Sequence, residues 1–226
     1  MNRIREVDDR FRAVSLTTPA RYAEAAALYR GVFGYQDPEY GLNPRLLGAL
    51  ASNGGSVVGV LDETDRLVAF AYGFCGTDRR GFYHYSQSAV VAAEEQGQGL
   101  GRLLKQTQRE VALGHGMTRM RWTYDPFQIR NAHFNLDVLG ARGRWYAPDM
   151  YGPGADRVIV EWDLTREFGA GPHEESARLV VPAEHPDKAE IRVTFEALLG
   201  KGLAAVSCRR LPNGNAAYYF GPADDA

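Results

Sequence analysis

The chain has 226 residues, of which 45% are hydrophobic and 24% charged, enough for one large domain or one domain with an appendage. Its formal charge of −2, from 26 basic and 28 acidic residues, argues against a general nucleic-acid binder. Two cysteines exclude a disulfide scaffold and a four-cysteine zinc site, and no uncharged stretch is apolar enough to span a membrane. Because the amino terminus is also too charged for a secretory signal, we expect a soluble cytoplasmic protein that binds neither nucleic acid nor membrane.

The first half of the chain predicts a strand, two helices, three strands and a third helix. Thr18 and Pro19 provide an N-cap and a proline suited to a first helical turn, and Gly34 provides a stop. The basic side chains of the third helix, including Lys105, fall outside its apolar stripe, so we expect them to face water or a ligand. The strands are expected at 12–16, 56–61, 67–74 and 82–92, and the helices at 20–33, 45–52 and 100–116.

The second half predicts a strand, a short helix, further strands and then a change in composition. From about Phe168, Gly, Pro, His and Glu dominate without a periodic pattern, which is typical of a linker. The remaining piece is too small for an independent core, so we expect it to pack on the main sheet. The strands are expected at 117–124, 145–146, 157–162, 177–182, 202–209 and 216–220, and the helices at 131–140 and 187–200.

The segment at 82–116 is the one that indicates chemistry. Gly97, Gly99 and Gly101 alternate where a strand gives way to a helix, and glycine allows both a tight turn and close approach of a ligand. Since the first N–H groups of a helix carry the positive end of its dipole, the segment predicts a phosphate or pyrophosphate site. The alternative is a glycine-rich turn without a ligand. Side-chain donors could come from Gln96, Gln98 and Arg102.

Two other phosphate motifs do not fit this spacing. A dinucleotide fingerprint needs glycine at the position of Arg102, and it should follow the first strand of a βαβ unit. A P-loop needs Gly-Lys-Ser or Gly-Lys-Thr, which the segment lacks.

The loop instead matches Gln/Arg-x-x-Gly-x-Gly/Ala, as Gln96-Gly97-Gln98-Gly99-Leu100-Gly101, and here the chain resembles the GNAT superfamily of acyl-CoA-dependent N-acyltransferases. The predicted order of elements is similar too, over roughly Arg12 to Trp162. A closer resemblance, to a little-characterised bacterial branch with no agreed substrate, rests on WTYDP at 122–126, RNAHFNLDVLG at 130–140 and DRVIVEW at 156–162. The resemblance implies a mixed α/β GNAT fold, with a GNAT domain at 1–167 and a small C-terminal extension at 168–226.

The resemblance also implies how acetyl-CoA, or another acyl-CoA, would bind as co-substrate without a metal. The pyrophosphate would lie on the loop amides, and a backbone N–H near Val91 would polarise the acyl carbonyl. In similar proteins polar residues of the following helix contact the cofactor, and Asn131 and Asn135 lie four apart on that helix. A role is expected only for the pair together, and the alternative is helix capping by Asn131 and exposure of Asn135. The implied cofactor-binding residues are Val91, Gln96, Gly97, Gln98, Gly99, Leu100, Gly101, Arg102, Asn131 and Asn135.

The implied chemistry is direct attack by an amine, which needs a proton acceptor and sometimes a proton donor for the thiolate. His84 on the third strand of the meander is the first candidate base, with a structural histidine as the alternative. Asp125 before Pro126 is the second, with an Asx turn as the alternative. The position of the family's usual tyrosine is Leu136 here, so the substitute acid would be Tyr146 or Tyr151, or the thiolate would leave without an enzymic acid. Packing at a strand edge is the alternative for both tyrosines.

The remaining aromatic, basic and cysteine residues predict structural roles. Core or sheet-face positions are expected for most of the strand aromatics Trp122, Trp145, Trp162 and Tyr83. Surface salt bridges are expected for Arg130, Arg142, Arg144 and Arg157, unless the acceptor is acidic. Cys75 and Cys208 should be buried thiols.

The sequence thus predicts an N-acetyltransferase that acts on a small-molecule amine. The main alternative is a non-catalytic acyl-CoA-binding sensor on the same fold, and a further one is an interaction module with a degenerate cofactor slot. The C-terminal extension could cover the acceptor site, complete the sheet or pair two protomers into a homodimer.

Overall fold

A computed structural model describes residues 10–166, 168–169, 171 and 173–223. The first nine residues, which belong to the charged amino terminus, and Ala170 and Pro172 of the expected linker lie outside the described residues. The contacts between Cα atoms divide the chain after Met120 into two compact units, which we call unit 1 and unit 2. Among the described residues, every helix is too short or too polar to cross a membrane.

Unit 1 is a four-stranded antiparallel meander with helices on both faces. Its strands follow the order β1-β2-β3-β4. The elements are β1 Arg12–Ser15, α1 Pro19–Phe33, α2 Pro44–Ser52, β2 Ser56–Leu61, β3 Leu67–Asp78, β4 Gly81–Val91 and α3 Leu100–Gly114. Single 3₁₀ turns occur at Pro38–Tyr40 and Ala93–Glu95.

The ends of α1 show how local sequence sets the elements of unit 1. The Thr18 hydroxyl accepts a hydrogen bond from the Arg21 N–H, Pro19 opens the helix, and Gly34 closes it at φ 67°. A residue with a Cβ is strained at that φ, so glycine is the favoured stop. The predicted cap, start and stop are therefore confirmed.

The alternation of side chains along β3 gives the sheet of unit 1 two apolar faces. Phe70 and Tyr72 pack with residues of α1 and α2, whereas Ala69 and Ala71 pack with Leu104 of α3. The meander is thus covered on both sides, and the carboxyl end of β4 leads directly to the start of α3.

Unit 2 is a sheet of strands in the order β5-β7-β6-β9-β10-β8, packed against α5. Its core includes Trp162, Phe195, Tyr218 and Phe220, all almost fully buried. The elements are β5 Arg119–Tyr124, α4 Ile129–His133, β6 Arg142–Ala147, β7 Arg157–Asp163, β8 Ala177–Val181, α5 Lys188–Gly200, β9 Leu203–Arg210 and β10 Ala216–Pro222. The boundary between the units falls within β5.

The C-terminal strands belong to the sheet of unit 2 through the pairing of β9 with β6, where Ala205 lies opposite Gly143. The expected boundary between domains at residue 168 stays a prediction, because compactness alone does not define the limits of a family domain. The helix expected at 131–140 is shorter than predicted: α4 gives way to a π-helical turn at Phe134–Val138.

Candidate functional site

The glycine loop of unit 1 adopts a backbone that strongly favours glycine. Gly97 and Gly99 have φ values of 87° and 86°, in the left-handed region, and α3 begins at Leu100 directly after them. A Cβ built on either glycine would meet no atom within 4 Å. The glycines are therefore required by the turn itself, and the space next to the loop is open.

The start of α3 has the properties of an anion site. The side chains of Thr18, Asn43 and Asp187 cap α1, α2 and α5, whereas α3 has no side-chain cap among the described residues. Its first turn contains no acidic residue and does contain Arg102. Because the first helical N–H groups have no partners within the helix, they and the dipole of this 15-residue helix favour an anion here.

The carboxylates next to the loop are held by partners within unit 1. Glu94 and Glu95 form ion pairs of 2.9 and 3.3 Å with Arg66. The ordered hydrogen bonds of Glu94, to backbone and to Arg66, lower the pKa of its carboxyl group. The Gln98 amide donates a hydrogen bond to Glu95 and accepts one from Arg10 at 3.1 Å, so these contacts stabilise the loop. The role of Gln98 as a phosphate donor stays a prediction.

A β-bulge interrupts β4 upstream of the loop. Ser86 lies opposite Gly73 and Ser88 lies opposite Tyr72, so Gln87 is an extra residue in β4. Val91, the predicted contact for an acyl carbonyl, ends the strand opposite Ala69 and is partly buried. Bulges are frequent next to active sites because they redirect side chains and terminate pairing.

His84 lies in a buried polar network between the sheet and α3. Its Nε2 lies 2.9 Å from the Ser56 hydroxyl, which also accepts from the Gln108 amide at 3.0 Å. The Ser86 hydroxyl donates to Gln108 at 2.8 Å and accepts from Lys105 at 2.8 Å. Gly73 makes room for the imidazole, because a Cβ there would lie 2.5 Å from Nε2. We call these five polar side chains the α3 network.

Burial changes the ionisation of both basic members of the α3 network. His84 is 0% exposed, and desolvation, assisted by Lys105 and His115, lowers its pKa to about 4. Lys105 is 4% exposed, and desolvation lowers its pKa to about 7. The expectation that Lys105 faces water or a ligand is wrong, because its ammonium group turns inward to Ser86. His84 has the contacts of the structural alternative.

The two other candidate catalytic residues lie in unit 2 and are bound to protein groups. The Asp125 carboxylate accepts the Phe127 N–H at 2.8 Å, as expected for an Asx turn. The Tyr146 hydroxyl donates to Asp156 at 2.7 Å, and burial together with that carboxylate raises the tyrosine pKa. Tyr151 is exposed, with Arg157 over its ring.

The predicted asparagine pair is divided by its surroundings. Asn131 is exposed, whereas Asn135 is buried at 4% exposure and its side-chain oxygen accepts from the Trp122 indole at 3.0 Å. The π-helical turn starts between them, so the four-residue spacing of an α-helix does not hold there. Leu136, at the position of the family's usual tyrosine, is fully buried.

The other predictions for single residues have mixed outcomes. Trp122 and Trp162 are buried and pack edge to face, as predicted, and Tyr83 is partly buried, whereas Trp145 is 39% exposed. Cys208 is buried as predicted, but the same prediction is wrong for Cys75, which is exposed on β3. Within the described ranges, no group of three or more His, Cys, Asp and Glu side chains could hold a metal ion.

Sequence reasoning missed most of the α3 network. Ser56, Lys105 and Gln108 looked like ordinary polar residues, since their partners are 19 to 52 residues away in the chain. The one available signal was four polar residues, His84, Ser86, Gln87 and Ser88, inside a strand whose other residues are aromatic or apolar.

Comparisons with known proteins agree with this geometry. The sequence profile of the acetyltransferase (GNAT) family matches residues 12–136, and a search of curated proteins gives no match. Similar solved structures include yncA from Salmonella typhimurium with its cofactor acetyl-CoA, at 17% identity and a TM-score of 0.53, covering 69% of this chain and 95% of that one.

Two further structures have named acceptors. Ribosomal-protein-S5-alanine acetyltransferase from Vibrio fischeri is 13% identical with a TM-score of 0.54, covering 69% of this chain and 94% of that one. An aminoglycoside acetyltransferase from an uncultured soil metagenomic sample is 17% identical with a TM-score of 0.50, covering 57% and 87%. At these identities the likeness shows the fold, a mixed α/β GNAT fold as predicted. With more than half of its residues matched by the family profile, the chain belongs to the acetyltransferase (GNAT) family.

Proposed function

We propose that the protein transfers an acetyl or short acyl group from acyl-CoA to the amine of a small-molecule acceptor by direct attack. The observation that carries the proposal is the start of α3, where two left-handed glycines precede a helix without a side-chain cap or an acidic first turn. A diphosphate fits such a place, since it needs several N–H donors and a positive field. Bound acetyl-CoA would supply the acetyl group as a thioester.

The residues of the loop and of β4 would bind and orient this co-substrate. The amides of 97–102 would hold the diphosphate, with Arg102 adding positive charge. The backbone N–H near Val91 would donate to the acyl oxygen as its negative charge grows. Asn131, which is exposed on α4, is proposed as a cofactor contact. Asn135 would affect cofactor binding only indirectly, because its hydrogen bond with the Trp122 indole holds the π-helical turn in place.

Proton transfer would depend on fewer side chains than the sequence predicts. His84 has no access to a substrate proton in this conformation, because it is fully buried. Asp125 keeps a partly exposed carboxylate at the end of β5, and we propose it as the proton acceptor. Tyr146 already donates to Asp156 and has a raised pKa, so we propose that the thiolate leaves without an enzymic acid.

The acceptor is proposed as a small molecule because one of the structural neighbours is an aminoglycoside acetyltransferase, and because the net charge of −2 does not favour nucleic-acid-associated acceptors. A homodimer and a cytoplasmic location stay predictions.

Binding of acetyl-CoA and CoA, with NAD as the control ligand, tests the cofactor assignment. A ligand at about 100 times its Kd should add about 2.7 kcal/mol to the free energy of unfolding, which raises the melting temperature. Gly99→Ala forces a Cβ into a left-handed position and should weaken binding of CoA about ten-fold or more by calorimetry. Gly31→Ala is the matched control, since Gly31 lies in α1 with open space around it. No shift with acetyl-CoA at millimolar concentration would refute the proposal.

Two observations support the alternative of a non-catalytic acyl-CoA-binding sensor. Leu136 is buried in place of the family's tyrosine, and His84 is enclosed in the α3 network. A sensor would bind CoA without turnover, so thiol release from acetyl-CoA over a panel of amines separates the two functions. Release with at least one amine, reduced in Asp125→Asn, supports the enzyme; binding without release for every amine supports the sensor.

A further inference from the structure

Unit 2 contains an open pocket of about 370 Å³ between β6 and the last turns of α5. Three successive residues of β6 form one wall, and three residues of α5 form the other. The lining residues are Arg144, Trp145, Tyr146, Glu196, Leu199 and Gly200.

A β-bulge creates the strand wall. Gly143 lies opposite Val160 and Trp145 lies opposite Ile159, so β6 carries one more residue than β7 at this point. The bulge breaks the alternation of side chains, and Arg144, Trp145 and Tyr146 can therefore line the same pocket. In a regular strand the middle side chain would point away.

The two walls have opposite charge. On the helix wall, Glu196 is exposed and forms no ion pair with any described residue. The negative end of the α5 dipole adds to this charge, because the last turn contains no basic residue and Lys201 beyond it does not line the pocket. On the strand wall, the Arg144 guanidinium lies 3.5 Å from Glu161, and a guanidinium has five donors with which to bind more than one carboxylate.

Between the charged groups the pocket offers apolar contact on fixed side chains. Trp145 is 39% exposed and Leu199 is partly buried. The Arg121 guanidinium lies 4.6 Å from the Trp145 ring centre, and the Tyr146 ring packs 5.3 Å from that of Phe195. A ligand would therefore meet a wall that is already ordered.

We infer that this pocket binds a small zwitterion, a molecule with one ammonium and one carboxylate group joined by a short apolar chain. The ammonium would pair with Glu196 at the end of α5, the carboxylate with Arg144, and the chain would pack on Trp145 and Leu199. Each charged group of the ligand would meet a side chain of opposite charge, whereas a simple amine or a simple carboxylate would pair with one wall only. This inference does not depend on acyl-CoA binding.

Tryptophan fluorescence tests the inference on the full chain without acyl-CoA. Trp122 and Trp162 are buried at 5% and 1% exposure, so Trp145 is the indole that a ligand in this pocket would contact. The probe is 6-aminohexanoate, whose flexible chain lets its two charges reach separate walls. Its matched halves are hexylamine and hexanoate. We expect a saturable change with 6-aminohexanoate, at least about ten times tighter than with either half, and loss of the change in Trp145→Phe.

Two exposed positions on α5 provide the variant and its control. Glu196→Gln should weaken binding of 6-aminohexanoate about five-fold or more without changing that of hexanoate, whereas Glu190→Gln, in the first turn, should change neither. Both positions are on the surface, so circular dichroism should show the wild-type fold. Equal binding of the zwitterion and its halves, no saturable change, or wild-type affinity in Glu196→Gln would each overturn the inference.

Discussion

Lys105 illustrates how a single residue can have two energetic roles in unit 1. Its hydrocarbon stem fills space between α3 and the sheet, while its ammonium group donates to Ser86 in a region from which water is excluded. Moving a charged group from water into the protein interior is energetically unfavourable, and this desolvation lowers the pKa of Lys105 to about 7. The Ser56 and Ser86 hydroxyls and the Gln108 amide are hydrogen-bonded within the α3 network, whereas Nδ1 of His84 is buried without a hydrogen-bond partner among the described residues.

Lys105→Met should change how the free energy of unfolding depends on pH. Between about pH 7 and pH 10.5 the unfolded chain keeps the Lys105 proton that the folded protein has lost, so wild-type stability rises with pH through this window. The slope from this group is at most about 1.4 kcal/mol per pH unit, and the methionine variant lacks it. Urea denaturation of both proteins at pH 6.5, 8 and 9.5 measures the difference. Parallel curves would contradict the buried ionisation of Lys105.

The two cysteines should differ in reactivity by a large factor. Cys75 is exposed on β3, whereas Cys208 is fully buried and burial raises the pKa of its thiol to about 12. Since the thiolate is the reactive form, a disulfide reagent should titrate one thiol in the native protein and the second at least about a hundred times more slowly, or on unfolding. Cys75→Ser should abolish the fast phase. Two fast thiols in the native protein would contradict the burial of Cys208.

The sequence could predict the residues whose roles are local and could not predict those whose partners are distant. Thr18 and Gly34 act on their own helix, and their roles follow from residue type and position. Lys105 and His84 depend on Ser86 and Ser56, which the fold brings to them. A polar residue on a helix is usually solvated, so Lys105 and Gln108 show no sign of burial in one sequence, and only the polar residues within β4 pointed to the cluster.

At the scale of elements, the connection between β6 and β7 is held to α5 by charges. Arg192 of α5 pairs with Asp156 at 2.6 Å and with Asp149 at 3.2 Å. Asp149 has φ 51°, an uncommon value for a residue with a side chain, and its carboxylate accepts the Gly154 N–H. Asp156 also accepts the Tyr146 hydroxyl, so one cluster orders the connection, the strand and the helix.

Arg192→Met should loosen the connection at 148–156 more than it disturbs the rest of unit 2. Asp156 would lose its cation and stay buried, which favours local opening. Hydrogen exchange followed by mass spectrometry should show amides of 148–156 exchanging about ten-fold faster, while β9 and β10 keep their protection. Arg210→Met, an exposed arginine at the end of β9, is the matched control. Equal protection in both variants would show that the ion pairs do not order the connection.

The elements themselves were largely predictable, with failures where the backbone leaves its regular period. The strands β2 and β4 and the helices α1, α2, α3 and α5 lie within about two residues of the predicted bounds. The end of the helix expected at 131–140 was not predictable, because the Leu139 N–H donates to the Phe134 carbonyl five residues back and no residue type marks such a π-helical turn. The glycine loop was predictable, since its spacing reflects left-handed backbone, but the bulge at Gln87 was not.

At the scale of the whole molecule, the proposed cofactor loop and the tryptophans lie in different compact units. Residues 96–102 belong to unit 1, and all three tryptophans follow Met120. The strand β5 contributes residues to both units, because the boundary falls between its second and third residues. One half of a strand cannot unfold without disrupting the hydrogen bonds of the other half. We therefore expect the two units to unfold together in one cooperative transition.

Acetyl-CoA should therefore stabilise the tryptophan signal although its proposed diphosphate site lies in unit 1. A ligand that binds only the folded protein raises the free energy of every transition coupled to its site, by about 2.7 kcal/mol at 100 times Kd. Urea unfolding followed by far-ultraviolet circular dichroism reports both units, and tryptophan fluorescence reports unit 2. We expect coincident midpoints without ligand and equal upward shifts with acetyl-CoA. A shift in circular dichroism alone would mean that the units unfold separately while the loop still binds, whereas no shift in either signal would reject the cofactor site itself.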